Sequence, residues 1–255
     1  MFPYDEQLLA ILETPPASIA DVLATMRAID ALTVNTDGLK WFNWLYFQVT
    51  QAVETRVSAG GFADAAFLAE LDVQFAQLYF NALKNSLSGA ALPDCWQTLF
   101  SQRNQTALAR IQFALAGINA HINHDLPIAI VATCQIAAVN SSQGGPQHGT
   151  TQYNDYTTLN TTLDNLIQQA KQTFNVRLPG DALPGSAQLE NTIAAWSVSA
   201  AREAAWNNAE LLWHLRAETG LTAAGLTAAG LTAAFLDTLD GLTSVVGKAL
   251  LVPIP

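Results

Sequence analysis

The chain has 255 residues, half of them apolar and only 13% charged, which is enough apolar material for a large buried core. A net charge of −10, with eleven Lys and Arg residues that form no basic stripe, argues against nucleic acid or an anionic membrane as a partner. No run reaches the roughly 18 uninterrupted apolar residues of a membrane span. Cys95 and Cys134 form no CxxC and no disulfide framework. With an acidic N-terminus that lacks the basic region of a signal peptide, this leads to the expectation of a cytoplasmic protein.

Helical periodicity dominates from end to end, and strand signals are weak. A first helix is predicted from Tyr4 to Glu13, stopped by Pro15-Pro16. Ser18 N-caps a second, to Leu32. Asp37 caps a third, whose stripe is Leu39, Phe42, Tyr46, Val49, Val53 and Val57 and which ends at Gly60-Gly61. A fourth spans Ala63 to Leu87.

Pro93-Asp94 opens the fifth and longest, which carries "GINAHINHDLP" (Gly117–Pro127) and is interrupted by a kink at Pro127. A polar loop, Asn140–Gln152, leads to a sixth helix from Tyr153 to Phe174. A seventh covers Ala187 to Ala217. From Gly220 the pentamer GLTAA repeats three times, read as a spacer, before a last short helix from Phe235 to Leu250. The expected architecture is therefore an all-α, single-domain bundle of seven to eight helices. Residues 1–219 form the helical domain, and residues 220–255 add the spacer and a C-terminal helix packed on it.

Polar residues interrupt the apolar stripes of four helices. Residues spaced by four, three and four lie on one side of a helix, and Gly117, His121 and Asp125 share such a line in the fifth. Gly117, one turn before His121, either leaves room for a ligand or permits close helix packing. Asn119 and Asn123 flank the same turn. Asp72 breaks the stripe Leu68, Leu71, Phe75, Leu78 and Tyr79, where a carboxylate is costly unless paired or metal-bound. Asn160 interrupts the sixth helix, with Asp155 at its edge. Arg202, Trp206, Glu210 and His214 are spaced by four along the seventh.

Helical bundles build metal and cofactor sites from facing side chains of this kind. The catalytic set predicted is His121, Asp125, Asp72 and Arg202. Asn119, Trp206, Asn160 and Tyr46 are the ligand contacts. His121, Asp125, Asp155 and Glu210 are the metal ligands, an imidazole and carboxylate set suited to zinc or iron. The alternative is a buried network of Arg, His and carboxylates that fixes helix register, pairing Arg110 or Arg202 with Asp72 or Asp125. His124 is a flanking residue, and His148 is a loop histidine, solvated or folded over the pocket.

Four segments, "LDVQFAQLYFNAL", "GINAHINHDLPIAI", "NDYTTLNTTLDNL" and "AREAAWNNAELLW", together resemble a bacterial family of helical proteins with a "NAHINxDL"-type motif. That family is a domain of unknown function, and the resemblance runs from Leu39 to Trp213. It implies an all-α fold and brings no settled activity. Its matching polar positions are Asp72, Asn119, His121, Asn123, Asp125, Asp155, Asn160, Arg202, Trp206 and Glu210. His124, His214, the repeat and the tail stand outside it.

The functional expectation is an enzyme for a small, largely apolar molecule, with His121 as general acid/base or metal ligand and Asp125 and Asp72 beside it. Hydrolysis, elimination and cyclisation are all open, and a role in specialised metabolism fits such a pocket. The alternatives are a non-catalytic holder of an apolar ligand and a structural or partner-binding bundle.

Overall fold

The computed structural model describes residues 2–141, 144–175, 197–217 and 227–253. They fold as α1 (Asp5–Ile11), α2 (Ile19–Leu32), α3 (Gly38–Ser58), α4 (Ala65–Ser88), α5 (Asp94–Phe100) and α6 (Arg110–Ala120). A π-helical turn (His121–Asp125) joins α6 to α7 (Leu126–Ser141). Then come α8 (Thr151–Thr158), α9 (Asn160–Asn175), α10 (Val198–Ala217) and α11 (Ala228–Leu250). The described residues contain no strand, and no helix among them is long and apolar enough to cross a membrane.

Local chemistry sets many of the boundaries. Ser18 accepts from the Asp21 amide at the start of α2, and Asp64 accepts from the Phe67 amide at the start of α4. Gly89, at φ 74°, closes α4 in the left-handed conformation that glycine adopts without strain. Asp37 caps α3 and is fully buried. Both of its oxygens accept from the Arg103 guanidinium, and one also accepts from the Tyr4 hydroxyl. Arg103 reaches Asp5 as well, at 3.1 Å. One buried ion cluster thus ties α1 and α3 to the loop after α5.

The centre of the fold is the crossing of α3 and α6, which approach through two glycines in a reciprocal fit. An added Cβ on Gly38 of α3 would stand 2.3 Å from the Phe113 ring of α6. One on Gly117 of α6 would stand 2.3 Å from the Phe42 ring of α3. Gly117 is therefore a close-packing residue, and the ligand space considered above it is filled by Phe42. Around this crossing α2 packs on α3, α7 lies between α4 and α10, and α9 leans on α3 and α10.

The C-terminal helix packs on α5, α6 and α10. Asp240 accepts from the Asp94 and Cys95 amides at the start of α5, Asn119 donates to the Thr243 carbonyl, and Gln112 donates to the Leu250 carbonyl. Helix α11 begins at Ala228, so the third pentamer of the repeat is helical. The first pentamer and the Gly225-Leu226 pair lie outside the described residues, as does the predicted start of the seventh helix.

Two expected helices are divided. The fifth stops at Phe100 and resumes at Arg110, because the intervening loop is held by tertiary bonds, among them Gly38 N–H to the Arg103 carbonyl at 2.6 Å. The sixth breaks at Leu159. The expected kink at Pro127 takes the form of a π turn: the Leu126 amide donates five residues back, to the His121 carbonyl. That wider turn makes room for a proline ring that would otherwise strike the preceding turn.

Gly117→Ala should cost about 1–3 kcal/mol of stability by overpacking against Phe42. Urea denaturation of this variant and of Gly117→Ala with Phe42→Leu checks the cause, since the smaller partner should restore part of the loss.

Candidate functional site

The π turn brings two imidazoles to one carboxylate. His121 Nδ1 lies 2.9 Å from Asp125 Oδ2, and His124 Nδ1 lies 2.7 Å from Oδ1. From α5, the Trp96 indole donates to Oδ2 at 2.9 Å. Asp125 is only 2% exposed, and these three donors replace the water it has lost. Burial pushes its carboxyl up, but the hydrogen bonds from His121 and His124 outweigh that and hold it below the usual carboxylate value. Burial lowers His121 despite Asp125, which makes it a neutral imidazole. For His124 burial also lowers, yet the bond and charge of Asp125 win and raise it.

A neutral His121 with Nδ1 on a carboxylate carries its proton there and leaves the Nε2 lone pair free. Nε2 is buried and has no hydrogen-bond partner. Five aromatic rings surround the imidazole. Phe75 stacks on it, with centroids 3.4 Å apart and planes 5° from parallel. The centroids of Tyr46, Trp96, Phe42 and Tyr79 stand 4.5, 5.8, 5.8 and 6.2 Å away.

Tyr46 and Phe75 also line a cavity of about 40 Å3 between α3, α4, α8, α9 and α10. Its polar lining is Tyr46, Asp72, Tyr156 and Arg202, and the rest is Val, Leu and Phe75. Asp72 Oδ2 is buried with no hydrogen-bond partner among the described residues, while the buried Tyr46 hydroxyl has the Thr50 hydroxyl beside it, one turn along α3. Burial, and then the charge of Glu54, push the Asp72 carboxyl up to about 8, so it is the neutral acid at pH 7. Arg202 is buried beneath Tyr156, its guanidinium carbon 3.8 Å from that ring centroid. It donates to the Asn160 side chain at 2.7 Å and to the Tyr156 carbonyl at 2.8 Å.

Of the predicted site residues, His121 and Asp125 meet directly, Asp72, Tyr46 and Arg202 line the adjoining cavity, and Asn160 accepts from Arg202. The others are engaged elsewhere. Asn119 joins α6 to α11 and accepts from Asn123. Trp206 lines a different cavity, of about 150 Å3, with Phe67 and Cys134.

The four predicted metal ligands do not converge. Asp155 accepts from the Ala63 and Asp64 amides at the entry to α4, and Glu210 accepts from His148 at the surface. Among the described residues no three His, Cys, Asp or Glu side chains are grouped so as to hold a metal ion. Nor does Arg202 pair with Asp72 or Asp125, as the register network required. His148 stands between Glu203 and Glu210, 40% exposed, and His214 is exposed on α10.

Trp96 and Phe75 complete the site without any sequence signal for it. His124, placed on the flank by helical arithmetic, reaches Asp125 because the turn is π-helical. An indole 29 residues from its carboxylate leaves no trace in local spacing.

Fold and site thus define an all-helical protein with a buried histidine–aspartate centre behind a small cavity. Residues 19–253 match the model of a family of unknown function, DUF5995, and the chain belongs to that family. The match includes the repeat and most of the tail, beyond the span of the resemblance drawn from the motifs. No curated protein and no solved structure matches the chain.

Asp72 makes stability depend on pH. Its folded carboxyl sits at about 8, against an unfolded value near 3.9, so the native state holds a proton that the unfolded state releases. The contribution is complete below about pH 4 and is lost as the pH rises through about 8. Asp72→Asn should remove this dependence, gaining roughly 4 kcal/mol relative to wild type between pH 5 and 9. Guanidinium denaturation of both proteins across that range is the check, and a pH-independent difference would contradict it.

Proposed function

We propose that the protein is an enzyme that performs acid–base chemistry on a small, largely apolar molecule bound at the cavity backed by His121. One observation carries this reading: among the described residues His121 Nε2 and Asp72 Oδ2 are buried without hydrogen-bond partners, and Tyr46, whose ring centroid stands 4.5 Å from that of His121, lines the cavity together with Asp72. Each such group costs about 1–3 kcal/mol, and a core selected for stability alone replaces them with apolar side chains. Elsewhere the same fold satisfies its buried carboxylates, at Asp37 and Asp125, with several donors each.

The roles follow from the protonation states. Asp125 fixes the tautomer and orientation of His121, whose Nε2 is the base. Asp72, held as the neutral acid, is a proton donor, and the Tyr46 hydroxyl orients the bound group. Hydrolysis, elimination and cyclisation each begin with a proton transfer that this pair can make. Two free, buried cysteines support a reducing compartment, the cytoplasm. No metal enters the proposal, because Asp155 and Glu210 are engaged away from His121.

The second reading is a non-catalytic holder of an apolar ligand. It is favoured by the depth of His121, 1% exposed and covered by Phe75.

Comparative mass spectrometry of small-molecule extracts incubated with wild type or with His121→Gln separates the two. A compound consumed by wild type alone supports the enzyme. A compound retained unchanged by both supports the holder. A substrate-free check accompanies it: Tyr46→Phe removes a buried hydroxyl whose one neighbouring hydroxyl is that of Thr50, and should cost less than about 1 kcal/mol of stability. A larger loss in thermal denaturation would mean that the hydroxyl is structural.

A further inference from the structure

We propose that the molecule taken by this cavity is a small carboxylic acid with an apolar body, its carboxylate seated on Arg202. This rests on the reading of the cavity as the substrate site and names the substrate class. The argument begins with charge. Arg202 is 6% exposed, and a guanidinium stays protonated and carries five N–H donors. Its acceptors are neutral, the Asn160 side chain and the Tyr156 carbonyl. Among the described residues no carboxylate forms an ion pair with it.

The same molecule supplies the contrast. Its other buried arginine, Arg103, is paired with both Asp37 and Asp5. Asp164 acts on Arg202 through its charge without forming an ion pair, and burial still lowers the guanidinium from its ordinary value; a buried cation with no carboxylate in direct contact is one of the more costly arrangements a core can contain. Arg202 lines the cavity, so the missing anion has a place to sit.

The rest of the lining fits that anion. Among the described residues Asp72 is the one acidic side chain on the cavity, and it forms no ion pair with Arg202 although both line the same space. As the neutral acid it donates a hydrogen bond, as does the Tyr46 hydroxyl. Donor-bearing side chains of α3, α4 and α10 therefore line a space otherwise walled by Val, Leu and Phe side chains. One buried cation matches a monoanion better than a phosphate dianion. A volume of about 40 Å3 suits a headgroup, a water molecule occupying about 30 Å3 of liquid. The aliphatic walls suit the body of the acid.

The test is isothermal titration calorimetry of the full chain at pH 6 with butyrate, hexanoate and benzoate, with the matching amides, and with inorganic phosphate. Saturable binding of the carboxylates is expected, at least tenfold tighter than that of the amides or phosphate. Arg202→Met should abolish it, and Arg202→Lys should retain part. Tyr46→Phe, which leaves the cation in place, should weaken it several-fold and covers the case in which Arg202→Met fails to fold.

Amides that bind as well as acids, or carboxylate binding unchanged in Arg202→Met, would overturn the anion inference. The reading of the cavity as a substrate site would then still stand if Tyr46→Phe weakened the amides. Absence of binding by both acids and amides overturns the inference, while consumption of a compound by wild type but not by His121→Gln keeps the enzyme reading separate.

Discussion

A carboxylate withdrawn from water must have its lone pairs occupied, and in this fold that constraint falls on Asp125. Its three donors come from different places: an indole on α5, an imidazole four residues back, and an imidazole one residue back. A regular α-turn presents the first and last residues of a five-residue stretch on one side and turns the fourth away. The π turn, with its carbonyl-to-amide bond five residues long, allows both histidines to reach the carboxylate. Pro127, just beyond, removes an amide and disfavours a tight turn, so the sequence element that relaxes the helix adjoins the one that exploits the relaxation.

The surroundings of His121 depend on how closely α3 and α6 approach. Gly38 and Gly117 admit Phe113 and Phe42 between the backbones, and this closeness places Phe42 and Tyr46 of α3 against the imidazole of the π turn. Helix α4 adds Phe75 and Tyr79. Desolvation by these rings keeps His121 neutral beside an ionised aspartate, and hydrogen bonding to that aspartate determines which nitrogen carries the proton. Packing and electrostatics thus act on one ring in a defined order. Close packing sets the protonation state, and the carboxylate then sets the tautomer.

Much of this was legible in the sequence, for reasons that also mark the limit. Helical periodicity and caps such as Ser18 and Asp37 are local, and they located α2, α3 and α4 closely. The loop from Ser101 to Ala109 contains no Gly or Pro, and its break was hidden because Arg103 and its carbonyl are held by residues more than sixty positions away. In the candidate site, the spacing of His121 and Asp125 anticipated their contact, and the intrusion of Asp72 into an apolar stripe anticipated its burial. The metal set failed because periodicity says which face a carboxylate lies on and not what it bonds. Asp155 caps the next helix, and Glu210 meets a loop histidine. Trp96 and the pairing of His124 needed the tertiary fold and the π turn respectively.

The arrangement of charges argues that the cavity differs in kind from the rest of the core. Asp37 is matched by Arg103, Asp125 by two imidazoles and an indole, and Asp155 by two backbone amides, so each of these buried carboxylates has donors at hand. At the cavity that logic is suspended twice over, by an arginine with no ion-paired carboxylate and by an aspartate without a cation. Had the two met, the register network expected from sequence would have closed and the site would be inert. They face one space and remain apart, so the electrostatic work of each is available to whatever enters between them. A fold that satisfies its buried carboxylates at Asp37, Asp125 and Asp155 and leaves Asp72 unsatisfied at the cavity supports the proposal that binding and proton transfer take place there.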